Sequence, residues 1–225
     1  PAAIYLKDYR PPAYLVARTD LHFELGEDHT LVTARLQLRR NQGVPATTPL
    51  HLDGTGLELL GIRLDGEELA AERYTLGAGP GEGGLEISAV PASFLLECRT
   101  RIRPQDNTAL DGLYKSHSMF CTQCEAHGFR KITYYPDRPD VMSVFTVTID
   151  ADRSRYPVLL SNGNLAATED LPGGRHRARW EDPFPKPAYL FALVAGDLHS
   201  IQDSFRTCGG RDVCLRIYVE EKDLG

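Results

Sequence analysis

Long apolar runs are absent from this sequence. No window approaches the roughly 18 uninterrupted apolar residues that a membrane-spanning helix needs. The first residues also lack the basic and then apolar layout of a secretory signal peptide. These two absences exclude a helical membrane protein and predict a cytoplasmic location, with no membrane partner.

Concentrated positive charge is also missing. The net charge is −6, and the longest basic clusters are Arg39-Arg40 and Arg175-His176-Arg177. A protein that follows a phosphate backbone needs a stripe of Lys and Arg along one face. Clusters of this length are too short to form such a stripe, so nucleic acid is not an expected partner.

An even set of cysteines that could form a disulfide framework is absent, since the chain has five cysteines in 225 residues. A chain of this length, 42% hydrophobic, can bury its own core, so the odd number predicts free thiols in a reducing compartment. Cys121 and Cys124 form a CxxC pair, which suits zinc binding or dithiol redox chemistry. The only other close pair, Cys208 and Cys214, has five intervening residues instead of the usual two to four. Buried or loop thiols are the simpler interpretation, and no metal site is predicted in this segment.

Common catalytic motifs are missing as well. None of the seven histidines begins an HExxH zinc motif, and the chain contains no GxSxG nucleophile elbow. The glycine-rich run 79–84 is interrupted by proline, which favours a loop over a phosphate-binding Walker or Rossmann turn. The sequence therefore predicts no catalytic residue in this segment.

Alternating apolar and polar residues mark strands along most of the chain. A period of two over 13–38, broken at Gly26-Glu27-Asp28, predicts two antiparallel strands joined by a turn. Further strands are predicted at 57–64, 85–88, 94–102, 143–149, 158–161, 175–180 and 189–194, and a hairpin at 204–208 and 213–219. The helices that a βαβ fold needs are missing between them. The sequence predicts a mainly β protein, with a large curved antiparallel or mixed sheet of saddle or sandwich type, in one domain over 1–225.

Residues 105–140 interrupt the alternation. This stretch has weak periodicity and collects Cys, His, Tyr, Gln, Arg and Asp. Long loops on a rigid scaffold are where binding and catalytic groups concentrate. The functional site is therefore predicted in this stretch.

Several runs resemble the N-terminal domain of bacterial aminopeptidase N, a family of zinc metallopeptidases. They are Leu113-Tyr114, Thr122-Gln123-Cys124-Glu125 and Asp137-Arg138-Pro139-Asp140, and the likeness continues through 159–164 and 180–196. The resemblance is weakest between about 44 and 90. It implies a β domain packed against a thermolysin-like domain that follows residue 225 and holds the zinc ion, the HExxH motif and the GAMEN loop. On this reading the chain is a piece of a monomeric aminopeptidase of peptide catabolism and is inactive alone.

The resemblance also implies two substrate contacts. Glu125 corresponds to the carboxylate that binds the free α-ammonium of a peptide, and Gln123 lines the same pocket. A carboxylate at the closed end of a cleft can separate a charged chain end from an internal peptide bond by pairing with the ammonium. The plainer alternatives are a surface carboxylate for Glu125 and a side chain that ties down loop backbone for Gln123.

Other residues of these runs have structural interpretations. Tyr114 is expected to make a core contact, and Arg138 an ion pair with Asp137 or Asp140. The prolines of 183–187 are expected to stiffen an extended linker between strands. The alternative function is a non-catalytic β-sandwich module for binding or scaffolding, which would share the same domain without a peptidase site.

Overall fold

The structure, a computed structural model, describes residues 5–77 and 83–224. Its strands are β1 (Tyr14–Leu25), β2 (Thr30–Arg40), β3 (Leu50–Leu52), β4 (Glu58–Leu64), β5 (Glu67–Glu68), β6 (Tyr74–Leu76), β7 (Leu85–Ile87), β8 (Ser93–Ile102), β9 (Gly112–Ser116), β10 (Met119–Gln123), β11 (Met142–Asp152), β12 (Val158–Ser161), β13 (Asn164–Leu171), β14 (Arg175–Pro187), β15 (Leu193–Gly196), β16 (His199–Arg206) and β17 (Asp212–Val219). Short 3₁₀ segments lie at Leu6–Asp8, Ala71–Arg73, Pro104–Asp106, Phe129–Lys131, Pro172–Gly174, Ala188–Leu190 and Glu221–Asp223. None of the helical segments in the described ranges is long and apolar enough to cross a membrane.

Eight strands form one large sheet in the order β13-β14-β11-β1-β2-β8-β4-β5. Neighbours in this sheet are antiparallel except β1 and β11, which run parallel, so the sheet is mixed. The longest ladder joins β1 to β2, from Tyr14 opposite Arg40 to Leu25 opposite Thr30. The predicted mainly β fold with a large mixed sheet is confirmed.

Two smaller sheets share a hydrophobic core with the large one. They have the orders β12-β15-β10-β9 and β3-β7-β6. Phe23 and Phe145 from the large sheet, Phe120 and Leu193 from the four-stranded sheet and Ile87 from the three-stranded sheet are each at most 1% exposed. Burying a side chain of this size contributes about 1.5–3 kcal/mol. This common core makes the four-stranded sheet a firm platform for the loop that follows β10.

The other face of the large sheet is polar because alternate residues of its strands are charged. The guanidinium of Arg177 donates two hydrogen bonds to Asp150, of 2.6 and 2.7 Å, and Nε2 of His22 lies 2.9 Å from Asp150 Oδ2. Burial acts to raise the pKa of Asp150, but these hydrogen bonds prevail and lower it to about 2. Arg35 and Glu97 form a further pair across β2 and β8 at 2.6 Å. A depression of about 600 Å³ on this face is lined by such side chains.

The predicted strands mostly appear where the alternation is long. The pair over 13–38 and the strands at 57–64, 85–88, 94–102, 143–149 and 158–161 are confirmed, with bounds shifted by a few residues. The strand predicted at 175–180 is confirmed as part of β14. Of the strand predicted at 189–194, only 193–194 lie in a strand, β15, which follows the 3₁₀ segment Ala188–Leu190. The prolines of 183–187 lie inside β14, where the ladder with β11 is irregular and a missing N–H is tolerated. Residues 79–82 of the predicted glycine-rich loop lie outside the described residues.

The predicted C-terminal hairpin is confirmed as β16 and β17, which pair with each other alone among the described strands. Ile201 lies opposite Ile217 and Phe205 opposite Val213, so apolar side chains share one face. Every residue of β16 is exposed, including Phe205 at 58%. An isolated two-stranded hairpin is marginally stable in water. This apolar face therefore has little packing within the described part of the chain.

Candidate functional site

Strand β10 carries Gln123 at its end and delivers the chain to the turn that contains Glu125. The strand pairs with β9, where Gln123 lies opposite Gly112, and with β15, where Cys121 lies opposite Val194. Beyond the last residue paired with β15, the Thr122 hydroxyl accepts a 2.8 Å hydrogen bond from the Leu193 backbone N–H. The strand end is thus held on both sides.

Residues 124–128, called here the Glu125 turn, have an exposed middle and buried ends. Glu125, Ala126 and His127 are exposed, whereas Cys124 and Gly128 are buried. The Gly128 N–H donates to the Cys124 carbonyl at 2.9 Å, and the peptide bond from Glu125 to Ala126 is cis. Within the described residues Glu125 makes no ion pair under 4 Å. Its carboxylate is therefore open to a cation from outside.

Gln123 stabilises the Glu125 turn through its side chain. Its Nε2 donates a 3.2 Å hydrogen bond to the backbone carbonyl of Glu125. The side chain is exposed, so this bond leaves part of the amide facing solvent beside the carboxylate. The structure thus shows the backbone contact for Gln123 and brings Gln123 and Glu125 together on one surface.

Gly128 closes the Glu125 turn where no side chain fits. A Cβ built at this position would overlap Asp111 Oδ1 and the Gln123 carbonyl oxygen, and would lie 2.9 Å from Cys124 Cα. Its backbone angles, φ −77° and ψ −21°, are accessible to any residue. The requirement for glycine here is therefore steric.

Replacing Gly128 by alanine is expected to lower the free energy of unfolding by about 1–3 kcal/mol, because two of the blocking groups are backbone and cannot rotate away. Denaturant unfolding of the 225-residue chain measures this. Gly61→Ala in β4 is the matched control, since a Cβ there meets no atom within 4 Å. Equal effects of the two substitutions would contradict the steric interpretation.

Phe129 fixes the C-terminal end of the Glu125 turn to the core. Its ring is fully buried and makes edge-on contacts with Tyr135, Phe145 and Phe191, at centroid distances of 4.9, 6.1 and 5.4 Å. Edge-to-face pairs of this kind add about 0.5–1.5 kcal/mol beyond their buried area. The large sheet, which contributes Phe145, is thus in direct contact with the segment that positions Glu125.

Arg130 supplies a polar anchor next to Phe129. Its Nε and backbone N–H both donate to Asp137 Oδ2, at 3.0 and 3.2 Å, and its Nη2 donates to the Asp137 carbonyl at 3.0 Å. Nη1 lies 3.5 Å from Asp53 Oδ1, and Asp53 Oδ2 accepts the Asp137 N–H at 3.1 Å. Burial raises the pKa of Asp137, although the hydrogen bonds from Arg130 oppose the shift. The cluster thus joins Asp53 to residues 130–137, which lie about 80 positions further along the chain.

Arg138 makes the predicted ion pair with Asp140. Its Nε and Nη2 donate to the two carboxylate oxygens at 2.8 and 2.6 Å, while Tyr9 donates to the same carboxylate at 3.0 Å. Arg138 also donates to the Arg10 carbonyl at 2.8 Å, so the pair holds the segment before β1. Tyr114 is half-buried on β9.

The CxxC thiols lie in an environment that disfavours thiolates. Cys124 is 2% exposed and Cys121 is half-buried, and burial raises the pKa of both. Zinc ligation and dithiol exchange both require the thiolate. In the described residues, no group of three or more His, Cys, Asp or Glu side chains is placed to hold a metal ion. The groups present here do not fit a zinc site.

Comparison with known proteins agrees with this architecture. Residues 89–190 match the family model of the peptidase M1 N-terminal domain. The chain is 50% identical over 220 residues to aminopeptidase N of Caulobacter vibrioides and 48% identical over 224 residues to aminopeptidase N of Escherichia coli. These alignments cover 98% and 100% of this chain, but 25% of each relative. The chain therefore spans about a quarter of the length of the curated relatives it matches.

Solved structures give the same result. A crystal structure of Legionella pneumophila aminopeptidase A in complex with aspartic acid superposes with a TM-score of 0.90 at 34% identity, covering 97% of this chain and 25% of that one. An M1 zinc metallopeptidase from Deinococcus radiodurans, at 18% identity and TM-score 0.74, covers 92% of this chain and 47% of that one and shares the fold. The chain belongs to the peptidase M1 family as an N-terminal domain of the aminopeptidase N type.

Proposed function

We propose that this chain is the amino-terminus-binding part of a zinc-dependent aminopeptidase that removes N-terminal residues from peptides. Glu125 pairs with the α-ammonium of the substrate, and Gln123 lines the pocket beside it. The observation that supports this role best is the Glu125 turn, in which an exposed carboxylate lies between two buried residues, Cys124 and Gly128. Similarity to aminopeptidase N over nearly the whole chain supports the activity class.

The physical basis is the charge of the peptide end. An ammonium paired with a carboxylate in a water-excluded cleft gains a charge-assisted hydrogen bond that an internal peptide bond cannot make. Because the turn is anchored at Gln123, Gly128 and Phe129, little ordering entropy opposes binding. The chain would therefore select substrates without performing the hydrolysis.

The hydrolytic chemistry is proposed to lie in a thermolysin-like domain after residue 225, which holds one zinc ion. A related protein is named as an M1 zinc metallopeptidase, which supports zinc in the whole enzyme. The apolar face of the β16–β17 hairpin suits packing against that domain, which would cover Ile201, Phe205 and Ile217. We further propose that the full-length protein is a monomeric cytoplasmic peptidase that acts in peptide catabolism.

A metal and activity measurement tests this assignment. The full-length protein is expected to bind one zinc per chain and to hydrolyse an alanyl anilide but not its N-acetyl derivative. The 225-residue chain alone is expected to hydrolyse neither. Elemental analysis and chromogenic assays give both readouts. One tightly bound zinc in the 225-residue chain would instead support a site at Cys121 and Cys124, and equal cleavage of the acetylated substrate would contradict recognition of the amino terminus.

A further inference from the structure

The guanidinium of Arg130 connects the Glu125 turn to two aspartates outside it. Arg130 makes three hydrogen bonds to Asp137 and an ion pair with Asp53, and its Nη2 lies 3.3 Å from Nδ1 of His127 within the turn. The Arg130 carbonyl also accepts the Thr55 N–H at 3.0 Å. Arg130 thus joins the turn to the end of β3 and to the segment after Tyr135.

A gain in stability does not by itself account for this buried charged cluster. The Asp137 side chain is 2% exposed, and withdrawing a carboxylate from water costs free energy that an ion pair often fails to recover. Apolar packing at such a position commonly gives equal or greater stability. The planar guanidinium, however, fixes direction, since its Nε reaches the Asp137 carboxylate while its Nη2 reaches the Asp137 carbonyl.

We propose that Arg130, held by Asp137 and Asp53, is a positioning residue for Glu125. Arg130 does not contact the substrate; it sets where the carboxylate stands relative to the cleft. This inference rests on the proposed function of Glu125. It extends that function to a residue three places beyond the turn's exposed surface.

The test uses the full-length enzyme with the variant Arg130→Lys. Lysine keeps the charge but loses the planar guanidinium, so the turn loses its fixed direction. A misplacement of about 1 Å can cost about 100-fold in rate, and kcat/KM for an alanyl anilide is expected to fall by about 10- to 100-fold. The inhibition constant of free L-alanine, which presents the same ammonium, is expected to rise by about the same factor. Zinc content is expected to stay at one per chain.

Arg138→Lys is the matched control because Arg138 also donates through Nε and Nη2 to a nearby aspartate, Asp140, but holds the segment before β1 instead of the turn. It is expected to leave kcat/KM and the inhibition constant within about twofold of wild type. If the two lysine variants lower the melting temperature equally but differ in the inhibition constant, stability is not the cause of the difference.

A double-mutant cycle with Glu125→Gln identifies the route of the effect. If Arg130 acts through Glu125, Arg130→Lys changes kcat/KM little once Glu125 is glutamine. An equal loss in both backgrounds would overturn the inference, as would a wild-type inhibition constant in Arg130→Lys. Loss in Glu125→Gln without loss in Arg130→Lys leaves the proposed function standing and the inference wrong. No loss in Glu125→Gln overturns the proposed function.

Asp53→Asn serves if Arg130→Lys does not fold. It removes the longest contact of the cluster, the 3.5 Å ion pair, and leaves the bonds between Arg130 and Asp137. The same measurements are expected to change in the same direction by severalfold, and again not in the glutamine background. An unchanged inhibition constant in this variant would also overturn the inference.

Discussion

Replacing Glu125 by glutamine in the full-length enzyme is expected to lower kcat/KM for an alanyl anilide by roughly 30- to several-thousand-fold. The substitution preserves shape and removes the charge that pairs with the α-ammonium. Truncating one partner of a desolvated ion pair costs about 2–5 kcal/mol, and each 1.4 kcal/mol is about tenfold. The loss should be seen at substrate concentrations well below KM, where kcat/KM sets the rate.

Glu67→Gln provides the control for this experiment. Glu67 is exposed on β5, at the edge of the large sheet, and makes no ion pair under 4 Å in the described part of the chain. The same chemical change there is expected to leave kcat/KM unaltered. If Glu125→Gln behaved like Glu67→Gln, the carboxylate would have no part in substrate selection, and Glu125 would be an ordinary surface residue.

Most strands of the large sheet could be predicted because they are long and bury one face. In β2 the residues Val32, Ala34, Leu36 and Leu38 are fully buried, while their neighbours are exposed or half-buried. The alternation of buried and exposed residues therefore continues along most of the strand. Strand β13 was not predicted, since it is an edge strand whose residues are almost all exposed. Without a buried face there is no alternation to detect.

Strands β9 and β10 were missed for a different reason. Each has five residues, and their existence depends on pairing with each other and with β15, about 70 residues further along. Short strands of this kind are decided by tertiary contacts more than by local preference. As a result the stretch 105–140, predicted as irregular, has more order than its sequence suggests.

The candidate site was only partly predictable. Glu125 and Gln123 were identified through a family resemblance, and nothing in their own residue types distinguishes them from surface residues. The anchor at Arg130 was not foreseen, because Asp53 and Asp137 are 84 positions apart and are brought together by the β-bridge between Asp53 and Tyr135. An Arg with two Asp residues in the same sequence gives no signal until the fold brings them together.

Replacing Phe129 by alanine is expected to lower the free energy of unfolding by about 3–5 kcal/mol, the usual cost of removing a buried phenyl ring. For a chain of this size each kcal/mol corresponds to about 2–4 °C, so the melting temperature should fall by roughly 6–20 °C. Because the total free energy of unfolding of a protein is about 5–15 kcal/mol, this loss would be a large fraction of it. Calorimetry or denaturant unfolding of the 225-residue chain measures it.

Phe205→Ala makes the same change on the exposed face of β16, where the ring is 58% exposed. Its effect on unfolding of the 225-residue chain should stay within about 0.5 kcal/mol. Comparable losses in the two variants would mean that the hairpin is packed in solution and that Phe129 contributes no more to the free energy of unfolding than Phe205 does. A large loss at Phe129 alone would show that the residue directly after the Glu125 turn belongs to the core. The position of the carboxylate would then depend on the same contacts that keep the domain folded.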